Sequence, residues 1–156
     1  MPTYFARADL PYAPQQVFDL VADIESYPKF LHHVAAARIS RRNGSTLWVD
    51  QVVRFGVLRL RFSTRAVLEP PSRIHVVCND SIFGMFDESW RFADGPSGGT
   101  RLECHATYAL RSALIQRALG PALSDLLGTT VKAFEVRAGQ LYGVAAYVGC
   151  ALDDDV

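Results

Sequence analysis

The sequence predicts an α+β fold: one antiparallel sheet of about seven strands packed against a long C-terminal helix. Three observations carry this. Apolar and polar residues alternate at period two through much of the stretch from 34 to 110. Apolar residues then recur at helical spacing from Ile115 to Leu141. A strand-like segment and a short helical one precede both.

Thr3 to Leu10 alternates and reads as the first strand, with Pro11 to Pro14 as its exit. Pro14 suits the first turn of a helix, where its missing N–H costs nothing. Val17, Leu20, Val21 and Ile24 follow at helical spacing, and Pro28 disfavours helix at the residue before it, so the helix is expected to end before Tyr27. From Leu58 to Glu69 the even positions are mostly apolar, whereas Arg59, Arg61 and Arg65 share the other face, as in a strand wet on one side. Similar alternation covers Ile74 to Cys78, Phe86 to Phe92 and Leu102 to Leu110, and Asn43-Gly44, Phe55-Gly56, Pro70-Pro71 and 94–99 supply turns. Ser112 reads as the N-cap of the last helix, in which Pro121 removes one hydrogen bond and is expected to cause a bend.

The chain has 156 residues, enough for one domain with a sizeable core, and no Pro-, Gly- or Ser-rich linker divides it. The domain is expected over 1–145, with 146–156 a flexible acidic tail. No signal-like start and no apolar run of spanning length occur, and the cysteines (Cys78, Cys104, Cys150) are odd in number and widely spaced. These features lead to the expectation of a cytoplasmic protein, peripheral at most at the inner face of the membrane. Sixteen basic and sixteen acidic residues balance, yet between Arg38 and Arg73 eight arginines face only Asp50 and Glu69.

The stretch from Phe18 to Leu31, FDLVADIESYPKFL, with LEPPSRI (68–74), SWRF (89–92) and the ending AFEVRAGQLYG (133–143), resembles the coenzyme Q-binding protein family of the START / polyketide cyclase superfamily. That family also contains a bacterial ribosome association toxin. Its members usually read Tyr-Pro-x-Phe-Leu-Pro-Trp at the first motif, where this chain has His32 and His33 in the last two places. They commonly carry Gly-Pro-Phe and two basic residues before the tryptophan, where this chain reads Ser81, Ile82, Phe83, Gly84 and Met85. The resemblance implies the helix-grip fold, a sheet curled around the last helix with a cavity between them.

The cavity implied by the resemblance would be apolar and would bind ubiquinone or a related isoprenoid quinone without catalysis and without any further cofactor. Tyr27, Pro28, Phe30 and Leu31 would form its mouth. Phe18, Val53, Phe55, Phe62 and Trp90 would serve as wall, and Leu119, Leu123 and Leu127 as the helix side. Any one of these residues taken alone reads equally well as core. Glu88 shares an alternation face with Phe86, Trp90 and Phe92; it is either a polar anchor for a headgroup or, more simply, turned to solvent by a bulge. Tyr108 and Gln51 are further candidates for headgroup hydrogen bonds. His32 and His33 read as two surface histidines. No phosphate loop, metal-ligand spacing or nucleophile elbow occurs, so an aromatase or cyclase would have only Glu88 and Tyr108 to work with.

The same resemblance leaves two partner classes open beside the quinone or another lipid: a membrane surface or respiratory complex, and, in the toxin branch, the ribosome. Arg59, Arg61 and Arg65 read first as a solvated convex face, with anionic lipid or ribosomal RNA as alternatives. Aromatic residues interleaved with those arginines are not evident, which disfavours RNA, and nothing suggests DNA.

Overall fold

The computed structural model describes residues 3–78, 83–96 and 98–154, with the side chains at 123, 124 and 144–154 excepted. The elements run β1 (Thr3–Leu10), α1 (Pro14–Ala22), a 3-10 helix (Ile24–Lys29), β2 (Val34–Asn43), β3 (Thr46–Phe55), β4 (Leu58–Glu69), β5 (Arg73–Cys78), β6 (Phe83–Asp94), β7 (Thr100–Leu110) and α2 (Ala113–Asp154). All seven strands form one antiparallel sheet in the order β1-β7-β6-β5-β4-β3-β2. β2 to β7 are therefore a meander, and β1 adds to its far end.

Turn chemistry sets the hairpins. Gly44 (φ 59°) and Gly56 (φ 60°) take the left-handed conformation that a two-residue connection needs, and the flanking pairs Asn43↔Thr46 and Phe55↔Leu58 close directly over them. Period-two patterning then assigns the faces. On β4, Phe62, Thr64 and Ala66 are buried while Arg59, Arg61 and Arg65 are exposed.

α1 ends at Ala22, before Tyr27 as expected, and a separate 3-10 turn that the sequence did not announce carries Tyr27 and Pro28 within it. A 3-10 turn of six residues tolerates the proline because few hydrogen bonds depend on the missing N–H. Tyr27 also donates its hydroxyl to the Val21 carbonyl, which ties this turn back to α1.

In α2, Ser112 Oγ accepts from Ile115 N at 3.3 Å, so the expected cap is present. The helix continues through Pro121, and a non-helical residue lies further on at Gly143 (φ 79°, ψ 148°). Leu127, Val131, Phe134 and Ala138 face the sheet. Leu141, expected on that stripe, is 49% exposed; the neighbouring Tyr142 turns inward instead, its ring 5.5 Å from Tyr12 and its hydroxyl donating to the Gln16 carbonyl at 2.8 Å. The acidic tail expected at 146–156 lies outside the residues whose side chains are described.

Candidate functional site

Between the inner face of β3 to β7 and α2 lies a cavity of about 150 Å³. Its lining is mostly aliphatic and aromatic: Val53, Phe55 and Phe62 from β3 and β4, Phe86 and Trp90 from β6, and Phe134 from α2. The aromatic side chains hold each other edge-on, with Phe62 5.2 Å from Phe83 and Trp90 5.4 Å from Phe134. α1 and the 3-10 turn contribute Val21, Ile24 and Tyr27 at one end.

The expected site residues divide into three groups. Tyr27, Leu31, Val53, Phe55, Phe62 and Trp90 line the cavity, as do Leu119 and Leu127. Phe18, Pro28 and Phe30 do not. Phe18 is 3% exposed and stands edge-on to Phe92 at 5.2 Å, because its place on α1 turns it toward the start of the sheet. Pro28 is exposed on the outside of the 3-10 turn. Phe30 is half-buried behind the wall, 5.6 Å from Phe134 and covered by the Arg137 guanidinium at 5.3 Å. The side chain of Leu123 lies outside the described residues. Leu31, expected at an open mouth, is only 3% exposed and so is packed wall.

Glu88 is not turned to solvent. The bulge in β6 falls between Phe83 and Met85, upstream of it, and the register Glu88↔Ala106 keeps the carboxylate on the inner face. There it lines the cavity and accepts a hydrogen bond from Trp90 Nε1 at 2.6 Å. Burial pushes its pKa up to about 7, opposed by the Trp90 hydrogen bond. Burial, and then the Glu88 charge, also push the hydroxyls of Tyr27 and Tyr108 and the thiol of Cys104 upward. Gln51 and Tyr108, the other headgroup candidates, both line the cavity.

His33 is the residue that sequence reasoning misplaced most. It lines the cavity rather than lying on the surface, and burial, with His32 beside it, lowers its pKa to about 4. The signal was its place in the family motif, where an apolar residue is usual; His32, next to it, is exposed. Thr64 and Thr130 also line the space, and Thr130 Oγ1 donates to the Leu126 carbonyl at 2.7 Å. Among the described residues no group of His, Cys, Asp and Glu could hold a metal ion.

The outer face is chemically opposite. The pairs Trp48↔Arg65, Val52↔Arg61 and Arg54↔Arg59 bring those side chains to one side of β3 and β4. Arg41 stacks on the Trp48 ring at 3.8 Å, so an aromatic does sit among the arginines, contrary to expectation; it comes from β3 rather than from the arginine strand itself. At the β3–β4 tip, Val57 and Leu58 are exposed, flanked in sequence by Arg54 and Arg59.

The sequence profile of the polyketide cyclase / dehydrase and lipid transport family matches residues 10–135. The chain belongs to that family. Among its relatives, the ribosome association toxin RatA of Pseudomonas aeruginosa is 33% identical over 144 residues, 92% of this chain and 100% of that protein. The coenzyme Q-binding protein COQ10 homolog B of Xenopus laevis is 24% identical over 138 residues, 86% of this chain and 57% of that protein. An 18 kDa protein of Caulobacter crescentus, solved in solution, is 31% identical with a TM-score of 0.74, covering 91% of this chain and 99% of that one. A Streptomyces aromatase/cyclase has the same fold (TM-score 0.76, 92% of this chain, 97% of that one) at only 14% identity. This family member thus has the START-like fold expected of it, and no helix among its described residues is long and apolar enough to cross a membrane.

Proposed function

We propose that this protein is a non-enzymatic carrier that holds the ring of an isoprenoid quinone in the cavity under its sheet and exchanges it at a membrane surface. The observation that carries this reading is the cavity itself: a mostly apolar space with polar groups, Glu88, Tyr108, Gln51, His33 and the hydroxyls of Tyr27, Thr64 and Thr130, set at points of its wall. An apolar cavity of about 150 Å³ is large enough for one six-membered ring. A prenyl tail must then widen the gap between sheet and α2 or run out past Phe55 and Leu60 toward the β3–β4 tip. That tip, Val57 and Leu58 between Arg54 and Arg59, has the composition of a contact with an anionic bilayer. Protein purified from a quinone-producing host should yield a quinone on organic extraction and mass spectrometry. Repeated absence of any isoprenoid, together with no uptake of added ubiquinone, removes the reading.

A second reading, association with the ribosome, is favoured by the 33% identity to a protein named for that activity and by the arginine face with Trp48 at its edge. Co-sedimentation with ribosomal subunits across a salt series, set beside flotation with anionic vesicles, separates the two. Binding to ribosomes by protein that carries no lipid favours the second.

A further inference from the structure

We infer that the Glu88 carboxyl, clamped by Trp90 on the cavity wall, bonds a ring oxygen of the bound quinone and discriminates its oxidised from its reduced form. The inference rests on the quinone reading above. Its geometry is simple. Trp90 Nε1–H donates to Oε1 at 2.6 Å and Glu88 lines the cavity, so the second oxygen, Oε2, is the one assigned to the ligand. A ubiquinone ring offers acceptors alone, its carbonyl and methoxy oxygens, whereas the hydroquinone offers hydroxyls that donate and accept. A protonated Oε2 donates to either form. An ionised carboxylate has no donor; set against a carbonyl oxygen it leaves two acceptors facing each other in an apolar space, while a hydroxyl gives it a charge-assisted bond.

The surroundings leave Glu88 as the group that switches between these states near neutral pH. Burial brings its pKa to about 7. The other ionisable groups around the cavity are Tyr27 from the 3-10 turn, His33 before β2, and Cys104 and Tyr108 from β7. His33 has its pKa near 4 and is neutral above pH 6, while Tyr27, Tyr108 and Cys104 are all pushed upward and stay protonated. From β3 and β4 the cavity receives Gln51 and Thr64, and from α2 Thr130, none of which titrates. His75 and Asp87 pair with each other at 3.0 Å on the opposite face of β5 and β6.

Binding of three probes to the full chain, followed by isothermal titration calorimetry between pH 5.5 and 8.5 under anaerobic conditions, tests this. The probes are a ubiquinone with a decyl side chain, its quinol, and decylbenzene, which lacks ring oxygens. The quinone should lose affinity by about tenfold per pH unit above neutrality, while quinol and decylbenzene change less than about threefold. Glu88→Gln, whose Nε2 is a permanent donor, should hold the quinone with no pH dependence. Trp90→Phe removes the bond that favours the carboxylate and should move the wild-type midpoint to higher pH. A flat quinone profile in the wild type, or an unchanged slope in Glu88→Gln, overturns the inference while leaving the carrier reading standing. If neither the quinone, the quinol nor decylbenzene binds at any pH, the carrier reading falls, and this inference with it.

Discussion

Beneath the β1 and β7 end of the sheet the side chains close on one another. Val17 and Leu102 have no exposure at all, Leu10 is 2% exposed, and Phe18 meets Phe92 edge-on. Beneath β3 to β5 the same residue types, Val53, Phe62 and Ile74, are also buried yet border a cavity. The difference is a layer. α1 packs on β6 and β7 and α2 on β1 and β7, which fills the first region; the 3-10 turn lies against β2 at the other edge, and the inner face of β3 to β5 between them borders the cavity. Burial from water and close packing are therefore separate properties here, and the second decides where a ligand can go.

The sharpest test of that contrast removes one phenyl ring from each region. Phe18→Ala should cost about 3–5 kcal/mol, because its neighbours cannot collapse into the space it leaves. Phe62→Ala should cost about 2 kcal/mol, since part of that ring already faces empty volume and loses fewer contacts. Urea denaturation measures both. Lipid loading per folded molecule should stay normal in the first and change in the second. Equal stability losses would mean that the cavity is filled in solution by something that packs like protein.

Most of the fold was legible in the sequence because strand alternation and the Asn43-Gly44 and Phe55-Gly56 turns are local signals. The hydrophobic stripe of α2 was legible too, apart from the turn before Gly143, where Tyr142 rather than Leu141 packs inward. The site was less so. Sequence pattern puts a residue on a face but does not say what lies opposite: Phe18 and Phe62 are both inward, and only the position of α1 tells packed core from cavity wall. Alternation puts Glu88 on the inner face, yet the cost of burying a carboxylate argues for solvent; the Trp90 indole two residues away offsets part of that cost, and periodicity does not reveal such a bond. His33 was missed because its position depends on where the 3-10 turn delivers the chain into β2, which no periodicity encodes.

The hollow region also makes opposite demands on stability as pH changes. Glu88 is held with its pKa raised from 4.5 to about 7, so the folded state binds a proton that the unfolded chain has released. Its contribution is complete below pH 4.5 and is lost as pH rises to 7, by on the order of 3 kcal/mol. His33 is held with its pKa lowered from 6.5 to about 4, so its contribution is present above pH 6.5 and is lost as pH falls toward 4. The cavity still leaves His33 partly accessible, and solvent screening reduces its share to on the order of 2 kcal/mol. Between pH 4.5 and 6.5 the two nearly cancel, and the wild type should show little pH dependence from this region. Glu88→Gln should expose the histidine slope and lose stability toward acid, and His33→Asn should expose the carboxylate slope and lose stability toward neutral pH. Denaturation midpoints at pH 4.5, 5.5 and 6.5 check it; parallel curves for both variants would show that neither group is held as described.

Phe30 lies at the boundary and carries a smaller expectation. Half-buried, it supports Phe134 from behind and takes the Arg137 guanidinium on its face. Phe30→Ala should cost about 1–2 kcal/mol, less than a fully buried ring, and should reduce quinone loading by loosening Phe134, which lines the cavity. Leu31→Asp would not separate gate from core, because Leu31 is packed and a carboxylate there destabilises the fold outright.

The smallest effect on stability is expected on the outer face, where β4 presents Arg59, Arg61 and Arg65 to solvent. Their side chains project away from both the packed region and the cavity, and exposed charges change stability by no more than about 0.5 kcal/mol each. Replacing all three with glutamine should therefore leave the melting temperature nearly unchanged and quinone loading from detergent solution normal. What should change is association driven by charge: flotation with anionic vesicles or sedimentation with ribosomes should weaken and lose salt dependence. Loss with vesicles alone ties the face to membrane exchange, and loss with ribosomes alone to the second reading. If neither association changes, the arginines act only to keep the convex surface wet, and any recognition by this protein must use the β3–β4 tip or the cavity.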